Sequence, residues 1–121
     1  MPNDLSGQVV LVTGAGRGIG AATATLLAAR GAAVGVLDIS ADLAEATVAA
    51  IAEAGGKAAS FVADASDRQA VFDAAAALRA AFGPLTAVVN DAIWIRYEPI
   101  DRVSEETLDR MLAVGVKGTF W

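Results

Sequence analysis

The sequence predicts an α/β fold, a doubly wound parallel sheet with strand order 3-2-1-4, forming one domain over residues 1–121. Three observations lead there. Short apolar runs alternate with helical patterns along the chain, the order expected of βαβ units. The connections are short, and no repeat, charge block or low-complexity linker divides them. A glycine-rich turn, Gly14 to Gly20, joins the first apolar run to the first helical pattern.

Each element has a local reason. Val9-Val10-Leu11-Val12 is a continuous apolar run, as a strand buried on both faces requires. A helix follows from about Ile19 to Arg30 and closes at Gly31. The second strand, Ala33 to Leu37, ends on Asp38, and Ser40 is placed to cap a helix over Ala41 to Ala54 that Gly55-Gly56 stops. A third strand spans about Ala58 to Ala63. The third helix starts near Asp67 and carries Val71, Ala75, Leu78 and Phe82 along one face. Gly83-Pro84 breaks it, and Leu85 to Val89 forms the fourth strand. After a loop from Asn90 to Val103, Ser104 caps a last helix, with Glu105 and Glu106 at the positive end of its dipole. That helix is expected to be still running at Trp121, with the fold truncated after it.

Composition narrows the function. The net charge of −5 argues against a nucleic-acid partner, which calls for a basic face. With no cysteine there are no disulfides or thiolate metal sites, and with no histidine the commonest general base and metal ligand is missing. A Ser-His-Asp or Cys-His arrangement is therefore impossible, and no metal site is expected. There is no apolar run long enough to cross a membrane, and Met1 to Gly7 does not read as a signal peptide. The expected location is cytoplasmic. About a quarter of the residues are alanine, so large apolar anchors are few.

The glycine turn points to a ligand because of where it stands. Thr13-Gly14-Ala15-Gly16-Arg17-Gly18-Ile19-Gly20 lies between a buried strand and a helix. Glycines let the backbone approach a pyrophosphate, and the helix start offers unpaired N–H groups to its phosphates. The dinucleotide fingerprint also needs an acid about 20 residues on, at the end of the second strand. Asp38 stands there. Its carboxylate can accept hydrogen bonds from both hydroxyls of the adenosine ribose in NAD, and it repels the extra phosphate of NADP. Arg17 is able to pair with such a phosphate, but it is read as a solvated loop charge, and neither Ile39 nor Ser40 is basic. The expected cofactor is NAD rather than NADP, held in a Rossmann-type domain.

These residues resemble the short-chain dehydrogenases/reductases, and the likeness covers essentially the whole chain but only the N-terminal half of that family's fold. The family's T-G-x-x-x-G-x-G is met by Thr13, Gly14, Gly18 and Gly20. Its acid after the third strand, which hydrogen-bonds the adenine, matches Asp64. Its N-N-A-G motif appears as Asn90-Asp91-Ala92-Ile93, and Met111 to Phe120 is similar to its V-N-x-K-G-T-F helix segment. The resemblance implies cofactor contacts from Gly14, Arg17, Gly18, Ile19 and Gly20 in the turn. It adds Asp38 and Ile39, Asp64 and Ala65, and Asn90 and Ala92 after the later strands. It also implies pairing of two copies through the helix that begins at Ser104. Leu108, Met111 and Leu112 would either form that contact or pack on the chain's own sheet.

Several positions depart from the family pattern. Asp91 and Ile93 replace an asparagine and a glycine, and Gly115 stands where the family has a catalytic asparagine. The family's catalytic serine and Tyr-x-x-x-Lys pair lie further along than Trp121. Tyr97 is followed four residues on by Asp101, not lysine, and Lys117 has no tyrosine at the needed spacing. No catalytic residue is therefore assigned. The resemblance implies the NAD(H)-binding portion of an oxidoreductase that moves hydride between nicotinamide and a carbonyl or secondary alcohol. Such a small-molecule substrate is expected only in a full-length or complemented form. The alternative is a non-catalytic nucleotide-binding subunit that pairs with a complementary chain.

Overall fold

The structure, a computed structural model, describes residues 4–121; residues 1–3, the start of the segment read as no signal peptide, lie outside it. Four strands and their helices follow one another in the order β1 (Val9–Thr13), α1 (Gly18–Ala29), β2 (Ala33–Asp38), α2 (Ala41–Glu53), β3 (Lys57–Val62), α3 (Arg68–Phe82) and β4 (Ala87–Asn90). A 3₁₀ turn at Ile100–Arg102 leads into α4 (Glu105–Leu112), a π-helical turn (Ala113–Lys117) and a last short turn, α5 (Gly118–Phe120). The strands are all parallel and lie in the order β3-β2-β1-β4. Val9 to Thr13 of β1 pair with Ala33 to Leu37 of β2, and Val10 to Thr13 pair with Ala87 to Asn90 on the other side. This is the doubly wound Rossmann architecture.

The two central strands explain their own sequences. Every residue of β1 and β2 is buried, so neither shows the polar alternation of a strand with one wet face. Two apolar layers result. On one face Val10, Val12, Val34 and Val36 meet Ala24 and Ala28 of α1 and Ala44 and Ile51 of α2. On the other, Val9, Leu11 and Leu37 meet Ala74 and Leu78 of α3. Alanines on α1 and α2 bring those helices close to the sheet, which is how a core with few large side chains still packs. Leu78 is fully buried over the middle of the sheet, and Gly35 makes room for it. A Cβ at Gly35 would lie 2.7 Å from Leu78 Cδ2 and 3.1 Å from Leu11 Cδ1.

Helix starts follow the capping residues. The side chains of Ser40, Asp67 and Ser104 accept from the backbone N–H groups of Leu43, Ala70 and Thr107 respectively. Only α1 among these four longer helices has no side-chain cap, and it has no acid in its first turn. Its first N–H groups stay without a side-chain partner, which matters below.

Four local details go beyond or against the expectations. The last helix does run on to Phe120, but it widens into a π-helical turn around Gly115. On α3 the buried residue is Ala74 rather than Ala75, giving a face of Val71, Ala74 and Leu78. The ladder of β4 begins at Ala87 rather than Leu85, since the Thr86 hydroxyl takes the place of a ladder carbonyl and accepts from Val9 N–H at 2.9 Å. Finally, Leu108 and Leu112 lie toward solvent. They are about half exposed, while Thr107, Val114 and Gly118 form the buried face of this segment.

Among the described residues no helix is long and apolar enough to cross a membrane. Replacing Leu78 with alanine is expected to cost about 2–4 kcal/mol of folding stability, because the cavity opens inside the well-packed layer between α3 and the sheet. Urea unfolding of the variant measures this, and an unchanged midpoint would refute the packing described.

Candidate functional site

The order 3-2-1-4 reverses direction between β1 and β4, and a cavity of about 490 Å³ opens at the carboxyl ends of the strands at that point. Open parallel sheets bind ligands at this switch point, in cavities of this size. Gly14, Arg17, Gly18 and Ile19 line it from the first turn, Asp38 and Ile39 from the end of β2, and Asp64 and Ala65 from the end of β3. Asp91, Ala92, Ile93 and Trp94 line the side beyond β4, and Arg110 and Val114 reach in from the last helical segment.

Nine of the eleven expected contact residues thus meet in one cavity. The exceptions are Gly20 and Asn90. Gly20 is buried behind the turn, where a side chain would collide with the carbonyl of Gly14, so its role is to let α1 start close under the turn. Asn90 is the last residue of β4, paired with Thr13 and exposed.

The turn is shaped by close contacts. Gly14 has a φ of +66°, and a Cβ there would lie 2.9 Å from Ala92 Cα, so turn and β4 loop touch backbone to backbone. Thr13, fully buried, joins the same two segments. Its Oγ1 accepts from the N–H groups of both Asp91 and Ala92, each at 3.1 Å. Arg17 is exposed at the mouth of the turn, just before the uncapped first turn of α1. An uncapped helix start facing a cavity is the arrangement that receives an anionic group.

Asp38 is buried, and its carboxylate is already engaged on both oxygens. Gly16 N–H donates to Oδ2 and Ser40 N–H to Oδ1, each at 2.9 Å. A Cβ at Gly16 would lie 2.7 Å from Oδ2, so only glycine permits that bond. Each carboxylate oxygen can accept more than one hydrogen bond, which leaves capacity on both for hydroxyls from the cavity.

Asp64 is held differently. Its Oδ1 accepts from the N–H and hydroxyl of Ser66, at 2.9 and 2.7 Å, and its Oδ2 pairs with Arg110 Nη1 at 2.8 Å. Partial burial works against the charged form, but the Ser66 donors and the Arg110 guanidinium outweigh it and hold the carboxyl below its usual pKa. Gly16, Thr13 and Arg110 were absent from the sequence-based set. Thr13 is marked only as the first residue of the glycine motif and Gly16 only as a turn residue, and Arg110 lies 46 residues beyond Asp64, with no local pattern joining them.

The family model for short chain dehydrogenases matches residues 8–121. The chain belongs to that family. It is 40% identical to the D-threitol dehydrogenase of Mycolicibacterium smegmatis over 116 residues, which is 96% of this chain and 45% of that protein. With the sorbitol dehydrogenase of Cereibacter sphaeroides identity is 34%, covering 97% of this chain and 44% of that one. Among solved structures, a short chain dehydrogenase from Mycobacterium avium superposes with a TM-score of 0.91 at 37% identity, over 96% of this chain and 43% of its own. A dehydrogenase/reductase from Sinorhizobium meliloti gives 0.93 at 36%, over 98% and 47%. The chain therefore spans less than half the length of these short-chain dehydrogenase relatives. Membership of the family supports dinucleotide binding, and the glycine turn, the uncapped start of α1 and the cavity fit such a group.

The lowered pKa of Asp64 fixes the sign of a pH effect. Its stabilisation is fully present above about pH 4, the range of an unfolded carboxylate, and is lost as pH falls through the lower folded value. Urea unfolding between pH 6 and pH 3 is expected to show a smaller loss of stability in Asp64→Asn than in the parent chain. Equal losses would show that Asp64 does not carry this dependence.

Proposed function

We propose that this chain is the NAD(H)-binding portion of an oxidoreductase that moves hydride between nicotinamide and a carbonyl or secondary alcohol. The observation that carries the cofactor choice is Asp38, a buried carboxylate on the cavity wall whose oxygens are pinned by Gly16 and Ser40. Pinned in that way it is preorganised to accept from the two hydroxyls of the adenosine ribose. A ribose 2′-phosphate would bring a second anion against a carboxylate that cannot swing away. No basic residue stands at Ile39 or Ser40 to offset that repulsion, and Arg17, though on the cavity wall, is exposed to solvent, which weakens any pairing with such a phosphate.

The remaining residues take roles consistent with their positions. The first turn of α1, which begins with Gly18 and Ile19, receives the pyrophosphate on unpaired backbone N–H groups, with Gly14 beside it. Ile39, Asp64 and Ala65 border the adenine. Ala92, set by its bond to Thr13, lies on the nicotinamide side with Asn90 behind it. Gly20 acts through packing. The bound nicotinamide would supply the hydride acceptor or donor. This chain's residues hold and orient it, and the half-exposed Leu108 and Leu112 offer a surface for pairing with a second copy.

No residue of this chain is assigned proton transfer to the substrate oxygen, because Tyr97 is followed four positions on by Asp101 where the family's pair has lysine. The 121-residue chain alone is therefore expected to show no oxidation of NADH with aldehyde or ketone substrates; measurable turnover would sink that assignment.

Calorimetric titration with NADH and NADPH tests the cofactor choice directly. NADH is expected to bind at least roughly tenfold more tightly, equivalent to about 1.4 kcal/mol, and Asp38→Ser to narrow that gap. Equal affinity for both cofactors in the parent chain would refute the role given to Asp38.

A further inference from the structure

The loop after β3 is gripped by the last helical segment at two places. At one end Arg110 reaches from α4 to Asp64, and the same Nη1 donates to Ser66 Oγ at 3.1 Å. At the other, Trp121 Nε1 donates to the Ala65 carbonyl at 3.3 Å. Gly118 lies so close to that carbonyl that a Cβ there would stand 2.9 Å from it. Two of the three loop residues held in this way, Asp64 and Ala65, line the cavity, as does Arg110 itself.

Ser66 alone does not settle where the Asp64 carboxylate stands. Its donors close a local turn between residues two apart, which fixes Oδ1 relative to the loop but not the loop relative to the sheet. Trp121 and the Ala63 N–H, which donates to the Asp38 carbonyl at 3.1 Å, anchor the loop backbone, whereas Arg110 supplies the long-range tie to the carboxylate itself, on its other oxygen. Its side chain is about one third exposed and that of Asp64 slightly less, so the pair is partly shielded from water. A guanidinium holds a planar fork of donors, which suits it to bridging a carboxylate and a hydroxyl at once. Arg110 also borders a second cavity, shared with Trp94, Arg96 and Ser104, and so forms part of the wall between the two.

We propose that Arg110 is a positioning residue for recognition of the cofactor's purine. By holding Asp64 Oδ2 and Ser66 together it sets the carboxylate to accept from the exocyclic amino group of adenine. The inference rests on the dinucleotide reading above and adds a selectivity to it. A purine that carries an oxo group in place of the amino group presents an acceptor to a fixed acceptor and is disfavoured. Once Arg110 is gone, the loop keeps its Ser66 turn but loses its tie to α4, and the discrimination declines while pyrophosphate binding on α1 persists.

The test compares NADH with reduced nicotinamide hypoxanthine dinucleotide, by calorimetry, on the parent chain, Arg110→Met and Arg110→Lys. Circular dichroism confirms that each variant is folded. In Arg110→Met, NADH affinity is expected to fall roughly three- to tenfold, what one net hydrogen bond is worth. Affinity for the hypoxanthine analogue should change little, so the preference for adenine shrinks. Arg110→Lys, which keeps the charge, should restore part of that preference. An equal loss for both dinucleotides, or no loss for either, would overturn the positioning role while leaving dinucleotide binding intact. Failure of the folded parent chain to bind either dinucleotide would overturn the dinucleotide reading itself, and this proposal with it.

Discussion

One carboxylate ties three backbone segments together at the centre of this structure. Asp38 closes β2, receives Gly16 N–H from the turn after β1, and receives Ser40 N–H at the entry to α2. A buried carboxylate left without donors would cost several kcal/mol, so the chain must bring both N–H groups to it. That requirement sets the path of the glycine turn, demands glycine at residue 16, and fixes where α2 begins. Thr47 of α2 adds its hydroxyl to the Gly16 carbonyl at 3.3 Å, so the same turn is held on its donor and its acceptor sides. The cavity exists because the turn is kept at this height above the sheet.

The two faces of the sheet then divide the work. The side with α1 and α2 is built of alanine and valine, and its tight packing brings the start of α1 directly under the cavity. The side with α3 carries the larger anchors, Leu11, Leu37 and Leu78. The last helical segment belongs to neither layer. Its buried residues are Thr107, Val114 and Gly118, and Gly118 lies against Ala65 of the loop after β3. It contributes Arg110 and Val114 to the cavity wall.

Much of this was legible in the residues. Continuous apolar runs gave β1 and β2 because both are buried on two faces, and the capping serines and Asp67 marked helix starts correctly. The spacing from the glycine turn to Asp38 was readable because one helix and one strand separate them. What stayed hidden depends on contacts distant in sequence. The Arg110–Asp64 pair spans 46 residues, and the Thr13 hydroxyl reaches residues 78 and 79 positions away. The π-helical turn was missed because helical periodicity carries no mark of one wider turn, even with Gly115 inside it. Ala74 was passed over for Ala75 because two adjacent alanines give periodicity no contrast.

Gly35 and Leu78 together occupy one fixed volume between β2 and α3. Bulk gained at one position has to be given up at the other, since neither the central strand nor the helix can retreat without loosening the whole layer. Across related sequences the two positions should therefore vary as a pair, trading size between strand and helix. Such covariation would record a steric bargain struck on the face of the sheet opposite α1 and α2, independent of whatever ligand the cavity has come to accept.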